Sequence, residues 1–368
     1  MPGLLVPLLA LMDGSRDLAT LKTGFELRTG TPVTTASLER LVSALDQAFL
    51  LDNKRFAQAN ARALNEFRSA SFRKPILAGS SYPTDADEAR SYISRWFNDA
   101  QHNALAEATG LQGVVSPHID FPRGGPTYAD VWQCAAGAVR EADLFVILGT
   151  DHAAGNAEIT LTRQAYATPW GAIPTDQGVV DRLAAEAGDE VFDLELHHRG
   201  EHSIETAAVW LHYLREGEPF SMIPILCGSF APFMDGTSPG SNSRIEAMVN
   251  VLRSVASQRR TLFVAAADLA HVGPAFGDHF PLDVVAKSAL AEKDKEMLQV
   301  MSTGTAEGFW NHIRDEGDRR RICGLPPIYL MLAIMTQAAG HLTGYAQCPA
   351  DQDGGSVVSI CGMVYESD

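Results

Sequence analysis

The sequence predicts an α/β fold, a mostly parallel or mixed sheet flanked by helices, preceded by a small helical unit. Three observations carry that expectation. Short, near-continuous apolar runs recur from about residue 113 onward, amphipathic helical patterns lie between them, and the first 72 residues hold helical patterns with almost no strand signal. A strand covered on both faces reads as an unbroken apolar run. The helix that returns the chain to the next parallel strand reads with a period near 3.6.

Taken in order, Leu4 to Met12 reads as an ordinary N-terminal helix rather than a signal peptide. It lacks a basic segment before it and a small-residue cleavage site after it, and Asp13-Gly14 reads as a turn. Leu18 to Leu27 is a second helical pattern. Leu38, Leu41, Val42, Leu45 and Phe49 form an i, i+3, i+4, i+7 stripe, with Thr34 or Thr35 as its N-cap. Residues 1–72 carry eight Lys and Arg against seven Asp and Glu, so this unit is near neutral and residues 73–368 hold a net charge of -17. Such a unit is either a cap on the main domain or a winged-helix-like module. Without a basic face, docking a protein or peptide is the stronger use and DNA reading the weaker.

A stretch rich in Pro, Gly and Ser, Arg73 to Pro83, reads as a connector. Beyond it the strand candidates are Gly113–Ser116, Leu144–Gly149, Ile159–Thr162, Met222–Cys227, Leu262–Ala267 and Val357–Tyr365. Helical patterns between them include Ile204–Leu214, Arg244–Val255 and Ile328–Met335.

Composition excludes several classes. With 46% apolar and 20% charged residues the 368-residue chain is ordinary globular material, and its net charge of -16 repels phosphate backbones, so no nucleic-acid partner is expected. No apolar stretch approaches the roughly 20 residues of a spanning helix, so no membrane partner is expected either. Five scattered cysteines, odd in number and without C-x-x-C, argue against a disulfide framework and for a reducing cytoplasm. Cys227 and Cys361 sit in apolar runs as small buried hydrophobes. There is no G-x-G-x-x-G, P-loop or H-E-x-x-H.

The informative pattern is where the polar residues fall. Three strand candidates run directly into chemistry-bearing residues: Pro117-His118, Thr150-Asp151-His152, and Asp268 with His271 three residues on. Ligands of open α/β sheets bind at the carboxyl ends of the strands, so these side chains share one rim. Gly200-Glu201-His202-Ser203 opens a helix, with Glu201 and Glu205 near its positive end. Cys323-Gly324-Leu325-Pro326-Pro327 precedes another, where a thiolate would gain from the helix dipole and from Arg319 to Arg321. His197-His198 and His279 read as solvated surface.

Six motifs in this order resemble the Memo-like family. Pro117-His118-Ile119-Asp120-Phe121 is similar to its P-H-A-G-Y, and Leu148-Gly149-Thr150-Asp151-His152 to L-G-P-S-H. Tyr166 to Gly171 resembles Y-x-T-P-L-G, and Glu201-His202-Ser203-Ile204-Glu205 matches E-H-S-I-E outright. Ala267 to His271 resembles S-D-F-x-H, and Ile322-Cys323-Gly324 resembles I-C-G. With its N-terminal addition the chain resembles the longer form called AmmeMemoRadiSam system protein B, which is similar in fold to class III extradiol dioxygenases. The resemblance implies that His118, His152 and Cys323 bind a metal and that His202, Asp268 and His271 are pocket residues. Two imidazoles and a thiolate suit iron or copper, with zinc possible.

The expected function is therefore a metal-dependent, dioxygenase-like redox enzyme acting on a small organic substrate. His202 and His271 would transfer protons, and Asp268 would orient one of them. The alternatives are a zinc-type metallohydrolase and a non-catalytic protein whose pocket takes a peptide or partner. Two departures from the family pattern, Asp120 and Asp151, make a more acidic pocket, or else anchor imidazole N–H groups. A third, Leu325-Pro326, stands where a basic pair is common, and the acidic cast disfavours an anionic substrate.

Overall fold

A computed structural model describes residues 5–99, 110–153, 155–336 and 338–367. The chain divides into two compact units, Met1–Glu66 and Phe67–Asp368.

The first unit is helical: α1 (Leu5–Leu9), α2 (Leu18–Thr29), α3 (Thr35–Gln47) and the start of α4 (Lys54–Ser69). Asp17 caps α2 by accepting from the Thr20 N–H, and Thr34 caps α3 by accepting from the Ser37 N–H at 3.1 Å. Leu8, Leu11, Leu21, Phe25 and Leu38 form its core. The sequence stripe overruns α3 by one position. The helix closes at Gln47, and Phe49 takes a left-handed φ of 58° outside it, half of its ring in solvent. No strand occurs among the described residues of this unit, so the hairpin that makes the wing of a winged-helix module has no counterpart there.

The second unit is a mixed α/β domain. Its strands are β1 (Leu111–Ser116), β2 (Leu144–Thr150), β3 (Ile159–Leu161), β4 (Tyr166–Thr168), β5 (Gly171–Ile173), β6 (Met222–Cys227), β7 (Thr261–Ala266), β8 (His271–Val272), β9 (Ala338–Pro349) and β10 (Val357–Ser367). Between them run α5 (Ala86–Asp99), α6 (Phe121–Glu141), α7 (Gln177–Ala187), the single turn α8 (His197–Gly200), α9 (Ser203–Leu214) and α10 (Ser243–Ala256). Then follow α11 (Val284–Ser302), α12 (Ala306–Asp315) and α13 (Leu325–Ile334). The main sheet has the order β3-β6-β2-β7-β1-β10-β8, with β9 along the other edge of β10. β6, β2, β7 and β1 are parallel, while β3, β8, β9 and β10 pair antiparallel.

Both faces of the sheet are covered, which explains the unbroken apolar runs. Along β2, Leu144, Val146 and Leu148 join one core cluster with α7, α10 and α13 residues. Phe145 and Ile147 join the other, with α6 and α9 residues. The period of two along a strand puts alternate side chains into opposite layers, and here both layers are apolar. All six strand candidates are strands. β9 escapes a sequence reading because its residues alternate between half-buried Gly, Thr, Ala and Gln, with no apolar face.

The stretch from Arg73 to Pro83 is tied down rather than loose. Arg73 is buried, and its guanidinium pairs with Glu205 and donates to the carbonyls of His198 and Glu201. Glu205 also accepts from the Ile76 and Leu77 N–H groups at 2.8 and 2.9 Å and from the Tyr82 hydroxyl at 2.6 Å. Its job is therefore to anchor this segment on the first turn of α9, more than to complement that helix's dipole. No helix among the described residues is long and apolar enough to cross a membrane.

Candidate functional site

Strand register aligns the carboxyl ends of β1, β7 and β2, because Ser116 and Gly149 both pair with Ala266. His118, Asp268 and His152 each lie two residues beyond the end of one of these strands. Two close approaches bring in the remaining groups. A Cβ on Gly149 would meet the Ser203 Oγ at 2.5 Å, so only glycine lets the start of α9, with Glu201 and His202, sit on the end of β2. A Cβ on Gly324 would meet the Asp268 carbonyl at 2.5 Å. There the loop before α13 is held by the Gly324 N–H donating to that carbonyl and by the Thr150 hydroxyl donating to the Cys323 carbonyl, both at 3.0 Å.

The result is a tight group. One ligand atom from each of His118, His152 and Cys323 lies within 4.8 Å of the others, and the His118 Nε2 is 3.4 Å from the Cys323 Sγ. Donors sharing one ion at about 2.0 to 2.3 Å in tetrahedral array stand roughly 3.5 Å apart, so the donor set and spacing fit a metal. His202 belongs to the same cluster. Its ring stacks on His152 with centroids 5.1 Å apart, and meets His118 edge-on at 5.4 Å.

Hydrogen bonds fix which ring nitrogens are free. His118 Nδ1 lies 2.9 Å from the Ala266 carbonyl, which can only accept, so Nδ1 carries the proton and Nε2 offers its lone pair to the site. His152 Nδ1 lies 3.1 Å from both oxygens of Glu201 and donates to that carboxylate, again leaving Nε2 open. Glu201, buried, also accepts from the backbone N–H groups of His152, His202 and Ser203 at 3.0, 2.8 and 2.9 Å. Asp268 accepts from the N–H groups of His118 and Ile119 at 2.8 and 3.2 Å, and its other oxygen is 3.6 Å from His118 Nε2. It orients the segment that carries His118.

Electrostatics follow burial. Desolvation pushes His118 down to about 4, and it also lowers His202 and His271 below the ordinary imidazole value. Burial opposes charge on His152 too, yet the hydrogen bond and charge of Glu201 outweigh it and raise that residue. Burial alone would raise Glu201, but the His152 hydrogen bond and the histidine charges hold it well below the carboxylate range. The Cys323 thiol is pushed well up by burial and then by the Asp268 charge. The thiolate expected from the three arginines is not favoured in this pocket, because burial outweighs it and two of the three are paired elsewhere. Arg320 pairs with Asp294 and Glu316, Arg321 with Asp278, and Arg319 is exposed.

A cavity of about 510 Å³ opens on this group, lined by His152, Cys323 and His271 among others. His271 does not belong to the converging cluster. Its Nδ1 lies 3.1 Å from the Leu269 carbonyl and its ring meets Phe276 edge-on at 5.0 Å, so it borders the chamber. The two acidic departures separate. Asp151 lines the cavity and binds His197 Nδ1 at 2.8 Å, whereas Asp120 is spent on capping α6 and holding Arg123.

Two readings of the sequence are corrected here. His198 is not surface but fully buried, its Nε2–H donating to the Thr160 carbonyl at 3.0 Å and its Nδ1 accepting from the Tyr166 hydroxyl at 2.6 Å. His197 is half-buried on Asp151, and of the three only His279 is exposed. Glu201, read as a helix-end charge, is the residue that holds His152. The signal was present in its position next to His202, since an imidazole that binds metal usually donates its other N–H to a carboxylate. Asp318, which lines the cavity and is pushed up to about 6 by burial, had no sequence signal at all.

Comparisons with known proteins agree with this arrangement of motifs. The profile of the family described as Memo-like protein matches residues 73–364. A MEMO1 family protein of Aquifex aeolicus is 26% identical over 370 residues, covering 97% of this chain and 90% of that protein. A MEMO1 family protein of Methanopyrus kandleri is 31% identical over 303 residues, covering 80% of this chain and 98% of its own length. A protein memo-1 homolog of Caenorhabditis elegans is 26% identical over 270 residues, covering 72% of this chain and 70% of its own. With the family profile matching most of the second unit, this chain belongs to the Memo-like protein family.

Proposed function

We propose that the chain is a metal-dependent enzyme of redox type that acts on a small organic molecule in the cavity, with His118, His152 and Cys323 as metal ligands. The observation that carries this reading is the convergence of three donors whose other valences are already used. Both imidazoles spend Nδ1 on fixed acceptors and present Nε2, and the Cys323 sulfur lies beside one of them. Iron or copper bound there would supply one-electron chemistry, and zinc would supply only Lewis acidity.

The protein's own groups have separate tasks. Glu201 and Asp268 position: one holds the His152 ring, the other the backbone at His118. His202 and His271 are the proton-moving groups. Both are kept below the ordinary imidazole value by burial, so both are neutral bases near pH 7, one beside the metal ligands and one on the cavity wall.

The test is metal content of tag-free protein purified without oxygen. We expect close to one iron or copper per chain. Cys323→Ser, which offers a hard, mostly protonated oxygen in place of sulfur, should lose most of it while the thermal midpoint stays near wild type. Undiminished metal in that variant overturns the ligand assignment. Zinc with no oxygen reactivity would favour the hydrolase reading, and ligand binding with no turnover would favour a binding protein.

A further inference from the structure

The chamber beside the cluster has walls of one character and a single committed cation. Phe230, Met234, Phe276, Leu325 and Pro326 give it apolar and aromatic surface. Its charged lining consists of Asp151, Asp318 and Arg321. Arg321 is already neutralised, because its two terminal nitrogens reach the Asp278 carboxylate at 2.5 and 3.2 Å and one also donates to the His271 carbonyl at 3.0 Å. Asp151 is spent on His197. Asp318 uses one oxygen to accept from the Ile322 N–H at 2.8 Å, and its second oxygen has no hydrogen-bond donor among the described residues. A chamber of about 510 Å³ falls in the usual range for small-molecule sites, where a few polar groups orient a mostly apolar ligand.

We infer that the chamber takes a small aromatic or bulky apolar amine, its body against Phe276, Phe230 and Met234 and its ammonium group on Asp318. A carboxylate or phosphate ligand would meet a net negative lining with no uncommitted cation, and would leave Asp318 facing a like charge. An ammonium instead gains a charge-assisted hydrogen bond from a partly desolvated carboxylate. The inference takes the cavity to be the substrate chamber of the enzyme proposed above, but it concerns the wall away from the metal ligands and is tested without metal.

The experiment is titration calorimetry at pH 7.5 with three probes of similar shape: phenethylamine, the neutral phenethyl alcohol, and phenylpropionate. It is run on the full chain, both chelator-treated and metal-loaded. We expect the amine to bind at least about ten-fold more tightly than either other probe, a difference of about 1.4 kcal/mol. Asp318→Asn should remove the advantage over the alcohol and leave metal per chain unchanged. Asparagine suits this position, since it keeps an oxygen for the Ile322 N–H and tolerates the residue's left-handed φ of 45°. Phe276→Ala should weaken all three probes together. Equal or tighter binding of phenylpropionate, no amine binding at millimolar concentration, or an amine preference that survives Asp318→Asn overturns the inference. An amine preference in wild-type protein that takes up no metal when offered it supports the inference and overturns the metal reading alone.

Discussion

Two cavities lie at opposite ends of the parallel part of the sheet, and they differ in more than size. At the amino ends a chamber of about 890 Å³ is lined by Leu111, Thr261 and Leu262 with Arg253, Arg259 and Arg260. At the carboxyl ends the volume is about 510 Å³. Three of the amino-end arginines are engaged. Arg260 pairs with Asp143 at 2.9 Å, Arg259 with Asp176 at 2.6 Å, and Arg253 donates to the carbonyls of Ala333 and Ile334 at the end of α13. These three hold the strand starts and the end of α13 in place. At the carboxyl end the reverse holds, since the imidazoles are fastened by one nitrogen and open at the other. Volume alone favours the amino end; converging open donor atoms favour the carboxyl end.

The largest way to sharpen this contrast is Glu201→Gln. The replacement keeps the shape but turns an amide NH₂ toward backbone N–H groups that now meet carboxylate oxygens. Metal affinity, measured by competition with a chromogenic chelator, should fall about 10- to 100-fold. Urea unfolding of the metal-free protein should lose about 1 to 3 kcal/mol. Unchanged affinity would mean that Glu201 does not hold His152 in a ligand geometry.

An effect of comparable size is expected from acid. His198 is neutral, fully bonded and depressed by burial to about 3, against an ordinary value of 6.5. Below pH 6.5 the unfolded chain takes a proton there that the folded chain refuses. This contribution to stability is complete above 6.5 and is lost as pH falls toward about 3, by up to about 1.4 kcal/mol per pH unit. His198→Gln, whose amide both donates and accepts, should flatten the fall in urea midpoint between pH 6.5 and 4.5. An equally steep fall would assign the acid sensitivity to other groups.

The smallest effect belongs to the amino end. Arg260→Ala removes a pair whose partners are both well exposed, so solvent screening leaves little to lose. Metal content should stay the same, and the thermal midpoint should move no further than repeat measurements scatter. A clear loss of metal would show that the two ends are coupled through the strands.

The alternation of apolar runs and helical patterns determined the fold class, because a strand packed on both faces leaves no polar positions to confuse the reading. The same runs located His118, His152 and Asp268, since a polar residue directly after a buried strand has to emerge at its end. β9 was hidden by its half-buried, mixed residues, and Glu201 and His198 were misread because their roles depend on partners far along the chain.

The sequence by itself therefore determined which residues stand at the rim, and six ordered motifs determined the family. Tertiary structure decided everything that needs a distance. It settled that Glu205 anchors the segment after Arg73, that Arg320 and Arg321 before Cys323 turn to Asp294, Glu316 and Asp278, and that Asp120 caps a helix while Asp151 faces the chamber. The physical reason is that periodicity and strand ends are local properties of the chain. A charge's partner and a ring nitrogen's free lone pair are set by groups that only folding brings within a few ångströms.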